Sequence, residues 1–345
     1  MCSLSATQII KNQRILERKR WFILFVFLIV GCIGLVLDVA TGPSMLPISE
    51  VIKTLLQVEN VDNTTKVIVY DLRLPMALMA LVVGMALGVG GAEIQTLLNN
   101  PMASPYTLGI AAAAGLGASA VIAFGSFGMP SSIAVPIGAF VMTMIATGIL
   151  FLFASLRRFS SAMLVLVGIA SLFFFQSMLS LIQFISAPEI SQQILFWLFG
   201  SLSKATWETL AIAVLVTAVC ITFLAKDVWK LTALRLGETR ALSLGINLQA
   251  LRIKTLILVA VMTATAISFV GIIGFIGLVS PHIARLLVGE DQRFFLPASM
   301  LVGAAFLSLS SVLSKIIIPG ALFPVGIVTA FIGVPFFFWI VLTKR

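Results

Sequence analysis

The sequence predicts an all-α integral membrane protein, and three observations lead to that fold class. Hydrophobic residues make up 60% of the 345-residue chain and charged residues only 10%, whereas soluble proteins carry about 25% charged residues. The mean hydropathy is +1.15, and the apolar residues fall into long segments separated by short polar stretches. A soluble core could not bury so much apolar surface, so lipid must be the solvent for most of the chain.

About ten segments come close to the ~20 apolar residues that cross a bilayer as a helix. Two of them are crowded into 251–288, which predicts either a tight hairpin or two short helices shielded by their neighbours. The whole chain, 1–345, is therefore predicted to be a single transmembrane domain that begins with a tail at 1–20. The predicted spans are 21–40, 76–97, 106–125, 132–154, 162–186, 207–225, 251–272, 275–288, 294–317 and 323–343.

The basic residues predict the orientation of these spans. The net charge is +9, and most of the 22 lysines and arginines fall in alternate connections, together with both ends of the chain. The positive-inside rule places those connections, and hence both termini, in the cytoplasm. The basic charge then fixes topology, and no nucleic acid is needed to explain it. The few basic residues on the opposite side are Lys53, Lys66, Arg73, Lys204 and Lys315.

The stretch at 269–293, FVGIIGFIGLVSPHIARLLVGEDQR, is apolar enough for lipid but rich in glycine and proline. A broken helix frees backbone polar groups, which then need protein or a water-filled cavity around them. The second unit begins five spans after the first, an odd number, so spans 2–5 and 7–10 are predicted to form an inverted repeat, as in many transporters. An offset of 180 residues pairs Gly91 with Gly271, Pro101 with Pro281 and Gly109 with Gly289.

Five motifs of this chain resemble a known family. They are RLP at 73–75, GGAEIQTLLNNPMASPYTLGIAAAAGLGA at 90–118, LGETRALSLGIN at 236–247, GFIGLVSPHIARLLVGEDQRFFLP at 274–297 and PVGIVTAFIGVPFFFWIVL at 324–342. Together they resemble the FecCD-type permease subunit of bacterial ABC importers for iron-siderophores, haem and vitamin B12, with its BtuC-like fold. The resemblance implies one transmembrane permease domain in the bacterial inner (cytoplasmic) membrane. It also implies a second permease subunit, two cytoplasmic ATPases that carry the ATP and magnesium, and an extracytoplasmic substrate-binding protein.

The same resemblance implies roles for particular residues. The cytoplasmic segment 226–254 would carry the ATPase-coupling residues, and the hydroxyls of Ser160 and Ser161 would form a cytoplasmic gate. An ordinary helix N-cap is the alternative for the two serines. Arg73 and Lys315 would meet the binding protein, although Lys315 stands where arginine is usual in the family. The coupling residues are Leu236, Gly237, Glu238, Arg240 and Gly245.

The family motifs around the two breaks are expected to be structural. The single histidine, His282, has no second ligand nearby in sequence and makes a poor metal site, so packing is the favoured interpretation. The acid Glu93, near the inner end of span two, either lines the pathway near the gate or reaches interfacial water. The motif residues are Asn100, Pro101, Pro105, Gly109, Gly277, Pro281, His282 and Arg285.

Other function classes lack their chemical groups in this sequence. The chain has no Gly-Lys dipeptide and so no P-loop, which agrees with a transport subunit whose ATP hydrolysis lies on a separate chain. An ion-coupled transporter usually buries relays of Asp, Glu or His at mid-membrane, and Glu93 and His282 are the two candidates for such a relay here. The cysteines are scattered, so no metal site or cofactor is predicted. A ferric siderophore is the expected cargo, with haem and vitamin B12 as alternatives, and the permease pair is either a homodimer or a heterodimer.

Overall fold

The structure is a computed structural model, and it describes residues 6–44, 46–56, 62–126, 128–156, 161–318 and 320–343. Within those ranges every regular element is a helix and there is no β-strand, which confirms the predicted fold class. The helices are α1 Ala6–Ala40, α2 Ile48–Leu55, α3 Asn63–Val67, α4 Leu74–Leu97, α5 Ile110–Phe124, α6 Ser131–Leu156, α7 Ser161–Ile185, α8 Pro188–Leu198, α9 Trp207–Ala225, α10 Val228–Arg235, α11 Glu238–Ser243, α12 Leu248–Val270, α13 Ile276–Val288, α14 Gln292–Ile316 and α15 Val325–Thr343, with a π-helical turn at Ile68–Arg73.

The ten predicted spans all correspond to helices. Among the described residues, seven helical segments are long and apolar enough to cross a membrane, and three shorter apolar helices, α5, α13 and α15, supply the rest. The crowded region resolves differently from either expectation, because α12 begins at Leu248 and is a full-length helix, so only α13 is short. Helix α1 begins at Ala6 and runs through most of the predicted tail. Its 35 residues would span about 52 Å, more than the ~30 Å hydrocarbon core.

Helices α4, α12 and α14 form the centre of the bundle. In each of them 67% of the most apolar stretch is buried, against 22% to 28% in α1, α7 and α9, which therefore offer most of their surface to lipid. Small residues let the central helices approach closely. A Cβ added to Gly84 of α4 would lie 2.3 Å from the carbonyl oxygen of Gly303 in α14, so this crossing depends on the absence of side chains.

The helix lengths repeat along the chain. The order α4, α5, α6, α7 has 24, 15, 26 and 25 residues, and α12, α13, α14, α15 has 23, 13, 25 and 19, in agreement with the two predicted units. The residue pairing at a fixed offset of 180 was wrong, however. Pro101 lies in the turn after α4, whereas Pro281 lies inside α13. The first break spans 98–109 and the second only 271–275, so no constant offset can align both sides.

Candidate functional site

Two helix breaks lie at corresponding places in the repeated units. Helix α5 begins after Gly109, which has a φ of +78°, and α12 ends at Gly271, with a φ of +77°. The residue before α13 is Phe275, whose φ of +66° is unusual for a bulky side chain. Strained backbone of this kind persists only where the surroundings hold it, and it clusters at functional sites. The breaks are therefore the first candidate site.

The two breaks meet around a small cavity of about 30 Å³. Ser104 comes from the first break, Gly274 from the second, and Thr263 from α12. The Thr263 hydroxyl is buried and has no hydrogen-bond partner among the described residues. A cavity of this size with hydroxyl groups in its wall is large enough for one water molecule, which could bind backbone groups freed by the breaks.

Helices α4 and α13 touch through glycine beside this cavity. A Cβ added to Gly91 would lie 1.8 Å from the carbonyl oxygen of Gly277. No side chain can occupy position 91 unless the two helices separate. The glycine in the predicted motif thus sets the distance between the two broken units.

A larger cavity of about 430 Å³ opens next to the breaks. Its volume lies in the range of small-molecule sites, and its walls are mainly apolar and aromatic. The cavity could hold part of a bulky ligand with an apolar or aromatic surface. It is lined by Ser104, Tyr106, Thr107, Leu198, Phe199, Ile272, Gly274, Phe275, Leu278, Gly326, Ile327 and Ala330.

The motif residues of the first break shape its turn. The Asn100 side-chain oxygen accepts a hydrogen bond from the Met102 backbone N–H at 2.9 Å, and Pro101 follows Asn100 in the same turn. Pro105 lines the small cavity. Gly109 supplies the left-handed backbone from which α5 starts. These placements give the NPMASP sequence a structural role in ending α4 and starting α5.

The motif residues of the second break lie in α13. Gly277 lines the small cavity, and Pro281 lies within the helix. His282 is buried, and its ring meets the ring of Phe336 in α15 edge-on, with 6.2 Å between centroids. His282 therefore packs α13 against the last helix, the interpretation favoured from its sequence context.

A buried ion pair joins the end of α1 to α14. The Lys315 Nζ lies 2.7 Å from Asp38 Oδ1, and the two side chains are 1% and 0% exposed. Lys315 also donates to the Asp38 backbone oxygen at 2.8 Å, and Ser311 donates to Asp38 Oδ1 at 2.8 Å. A lysine buried this way has no free charge for another protein.

Arg73, the other predicted docking residue, is also turned inward. Its side chain is buried and donates to three groups at the end of α1 and just beyond it. Arg73 and Lys315 both hold the end of α1 in place, and their contact with a binding protein stays a prediction. The acceptors of Arg73 are the Val39 oxygen at 3.2 Å, the Ala40 oxygen at 2.9 Å and Ser44 Oγ at 2.9 Å.

Glu93 lies in the interior of α4. Its side chain is 0% exposed, and neither carboxyl oxygen has a hydrogen-bond partner among the described residues. The expectation that it reaches interfacial water was therefore wrong, because α4 is one of the three central helices of the bundle and most of its surface is buried. Glu93 lies in the last turns of α4, four residues before that helix ends at Leu97.

The polar segment 226–254 forms two short helices before α12. Gly237 with a φ of +112° precedes α11, and Gly245 with a φ of +75° follows it, so both glycines end helical runs as the sequence predicts. A small core beneath them consists of Leu231, Leu234, Ala241, Leu248 and Leu251.

Ion pairs attach this segment to α12. Arg252 Nη2 donates to Glu238 Oε1 at 2.5 Å, and Asp227 pairs with Lys254 and, at 2.8 Å, with Lys230. Burial alone would raise the pKa of Asp227. The hydrogen bonds and charges of the two lysines outweigh that effect, so the pKa is lowered below its usual value.

The outer face of the segment is apolar as well as charged. Leu236, Leu242 and Leu244 are 59%, 58% and 67% exposed, and Arg240 is exposed beside them. By the positive-inside assignment this face lies in the cytoplasm and not in lipid. Exposed leucines outside the membrane indicate a surface that another protein covers.

The sequence profile of the FecCD transport family matches residues 26–343 of this chain. The chain belongs to the FecCD transport family. It is 35% identical over 279 residues to the hemin transport system permease protein HmuU of Yersinia pestis, which covers 80% of this chain and 83% of HmuU. It is 33% identical over 279 residues to the vitamin B12 import system permease protein BtuC of Vibrio vulnificus, covering 80% of this chain and 82% of that protein.

A solved structure has the same fold as this FecCD chain. It is described as the inward-facing conformation of a metal-chelate type ABC transporter, and it matches with a TM-score of 0.81 and 30% identity over 93% of this chain and 98% of that one. The chain is therefore a multi-pass permease subunit of the ABC importer class, and the resemblance inferred from its motifs is confirmed.

The predicted gate of this FecCD chain is largely beyond the described residues. Ser160 lies outside them, and Ser161 is the first residue of α7, of whose side chain nothing is described. The gate stays a prediction. Sequence reasoning also missed Asp38, which is the lone acid in an apolar span and for that reason signals a basic partner.

Proposed function

We propose that this FecCD chain is the permease subunit of an ATP-driven importer that moves an iron chelate, specifically a ferric siderophore, across the bacterial inner membrane. Its partners are a second permease subunit, two cytoplasmic ATPases that hold ATP and magnesium, and an extracytoplasmic binding protein. The chain itself needs no cofactor. Haem and vitamin B12 are the alternative cargoes, since relatives of this family carry those names.

The observation that carries the ATP-driven part of the proposal is the leucine face of α11 and its flanks. The face lies on the basic side of the chain, and its supporting helices are tied to α12 by ion pairs. A partner that pushes on it can therefore move a membrane-spanning helix. ATP binding in that partner would drive alternating access by tilting helices, a rigid-body movement of the kind that many switching proteins use.

The cavity beside the two breaks supports a large and partly apolar cargo. Tyr106 and Phe275 contribute aromatic walls from both breaks, and Phe199 and Ile327 extend the wall to α15. An organic chelator surrounds its metal with carbon-containing groups that can contact apolar walls, whereas a bare hydrated metal ion has none.

Uptake by the complete complex in proteoliposomes tests the proposal. The permease is reconstituted with its ATPase, and a ferric hydroxamate siderophore, haem and cyanocobalamin are supplied in turn with the binding protein. ATP-dependent accumulation of the ferric siderophore alone is expected. Accumulation of haem or cobalamin instead would correct the cargo, and uptake in vesicles that lack the ATPase would overturn the ATP-driven mechanism.

The leucine face has its own test. Leu242→Ser with Leu244→Ser removes apolar contact without touching the buried core, and ATPase co-purification with the permease should fall at least tenfold. Gln249→Ala is the control, because Gln249 is exposed at the start of α12 outside the leucine face. Equal ATPase recovery in the double variant and the control would show that the partner binds elsewhere.

A further inference from the structure

Glu290, in the connection between α13 and α14, lies between two arginines from different helices. It pairs with Arg235 of α10, and its Oε1 lies 3.1 Å from Arg285 Nε. The second contact is an ion pair without hydrogen-bond alignment, since Arg285 Nε has no hydrogen-bond partner in the part of the chain that the structure describes. The arginine side chains are 9% and 15% exposed, and the glutamate side chain is 49% exposed. One half-exposed carboxylate thus forms ion pairs with two largely buried guanidinium groups.

The same two arginines also donate hydrogen bonds to side chains at the end of α4. Arg235 Nη1 donates to Asn99 Oδ1 at 3.1 Å, and Arg285 Nη2 donates to Gln95 Oε1 at 2.8 Å. Both acceptors lie at or just beyond the last turn of α4, before the first helix break. The network therefore reaches from α10 of the cytoplasmic segment to both broken units.

Gln292 makes a parallel connection at the start of α14. Its backbone N–H donates to Thr232 Oγ1 of α10 at 3.2 Å, and its side-chain amide donates to Thr96 Oγ1 of α4 at 2.6 Å. These contacts are neutral and keep α10 near α4 and α14. They do not neutralise the charges of Arg235 and Arg285, which are paired with Glu290.

The charge balance decides what Glu290 does. Two largely buried guanidinium groups repel each other, and a carboxylate between them converts the repulsion into attraction. Without that carboxylate the arginines would separate, α10 would move away from α13, and the Asn99 and Gln95 contacts would be strained. Arg235 and Arg285 are thus held near each other by the side chain of Glu290, which lies on a short connection.

We propose that Glu290 is a positioning residue that fastens α10 to α13 and to the end of α4, so that displacement of the cytoplasmic segment is transmitted to the two helix breaks. This inference rests on the proposed function, in which an ATPase acts on the leucine face. Ion pairs to α12 hold the other side of the segment, so Glu290 adds the route to the broken helices.

The test uses the complete complex of permease, ATPase and binding protein in proteoliposomes, with ATP hydrolysis measured with and without binding protein. Glu290→Gln removes the charge and keeps the shape. Basal hydrolysis should stay within twofold of wild type, while stimulation by the binding protein should fall at least fivefold. Glu290→Asp keeps the charge on a shorter side chain and should recover part of the stimulation, a rescue that a purely steric role would not give.

Asp291→Asn is the matched control. It makes the same carboxylate-to-amide change one residue later, but Asp291 pairs with Arg20 and Arg293 and not with Arg235 or Arg285. Its stimulation should equal that of wild type. Equal loss in Asp291→Asn and Glu290→Gln, or full stimulation in Glu290→Gln, would overturn the inference while leaving the importer assignment intact.

A cross-link gives an independent measurement. In a background with Cys2, Cys32 and Cys220 replaced by serine, Arg235→Cys with Glu290→Cys is treated with a short bifunctional thiol reagent. A covalent bridge should restore stimulation to at least half of wild type if the two sites move as one body. Loss of the remaining stimulation on cross-linking would show that the contact must open and would refute the proposal. A wild-type complex without ATP hydrolysis would instead refute the proposed function itself.

Discussion

Glu93 shows how a single buried acid can be interpreted once its surroundings are known. No cation pairs with it among the described residues, and its oxygens have no hydrogen-bond partner there. An ionised carboxylate without a partner is costly inside a membrane protein, so a neutral side chain of the same shape should fit the site.

Substitution at position 93 tests that reasoning. Glu93→Gln should keep the melting temperature of the purified permease close to wild type, whereas Glu93→Lys should lower stability by about 3 kcal/mol because it buries an unpaired cation. Thermal unfolding in detergent, followed by fluorescence-detected gel filtration, measures both. A Gln variant as unstable as the Lys variant would mean that the negative charge of Glu93 is required.

Asp38 and Lys315 present the opposite situation, since each buried charge has its partner. Lys315→Met should destabilise the permease by about 3–5 kcal/mol because Asp38 is left buried and unpaired. Adding Asp38→Leu should recover most of that loss, since an apolar pair of similar volume avoids the desolvation of two charges. The free energies of unfolding of the single and double variants test this prediction. A double variant less stable than the Lys315→Met variant would contradict it.

At the scale of elements, the sequence predicted most helices but not how they touch. Apolar length placed α4, α12 and α14 correctly, since a span must be about 20 residues long. It did not show that Arg73 turns inward or that Glu290 bridges two arginines, because those contacts join residues far apart in sequence. A lone acid such as Asp38 was a usable signal, whereas Glu290 on a polar connection gave none.

The α4–α13 crossing depends on glycine at position 91. Gly91→Ala would place a Cβ 1.8 Å from the Gly277 oxygen, and separating the helices should cost about 1–3 kcal/mol as overpacking does. Gly148→Ala is the control, because a Cβ there meets nothing within 4 Å. Melting temperatures should fall for position 91 only, and an equal response of the two variants would show that the crossing can adapt.

The attachment of the cytoplasmic segment 226–254 to α12 should weaken at low pH. The pKa of Asp227 is lowered in the folded protein, so its stabilising contribution is present above the unfolded value of about 3.9 and is lost as pH falls through the folded value. The anisotropy of a fluorophore on Ser243→Cys, in the cysteine-free background, should therefore decrease at low pH. Adding Asp227→Asn should make that change smaller. An unchanged titration would exclude Asp227 as the tether.

At the scale of the whole molecule, orientation rests on the distribution of basic residues. Family membership confirms a multi-pass permease, while the side on which each connection lies is inferred from charge. Helix α9 is the only membrane-length helix described between Ser203 and Ser243, because α10 and α11 are each too short to cross. These two serines must therefore lie on opposite sides of the membrane.

Cysteine accessibility in cells tests that orientation directly. Ser203→Cys and Ser243→Cys are introduced separately into the cysteine-free background, and spheroplasts are treated with a membrane-impermeant maleimide. Ser203→Cys should react in intact spheroplasts, whereas Ser243→Cys should react only after permeabilisation, because the positive-inside rule places the connection that carries Ser243 in the cytoplasm. Labelling in the reverse order would invert the topology and place the leucine face where no ATPase could reach it.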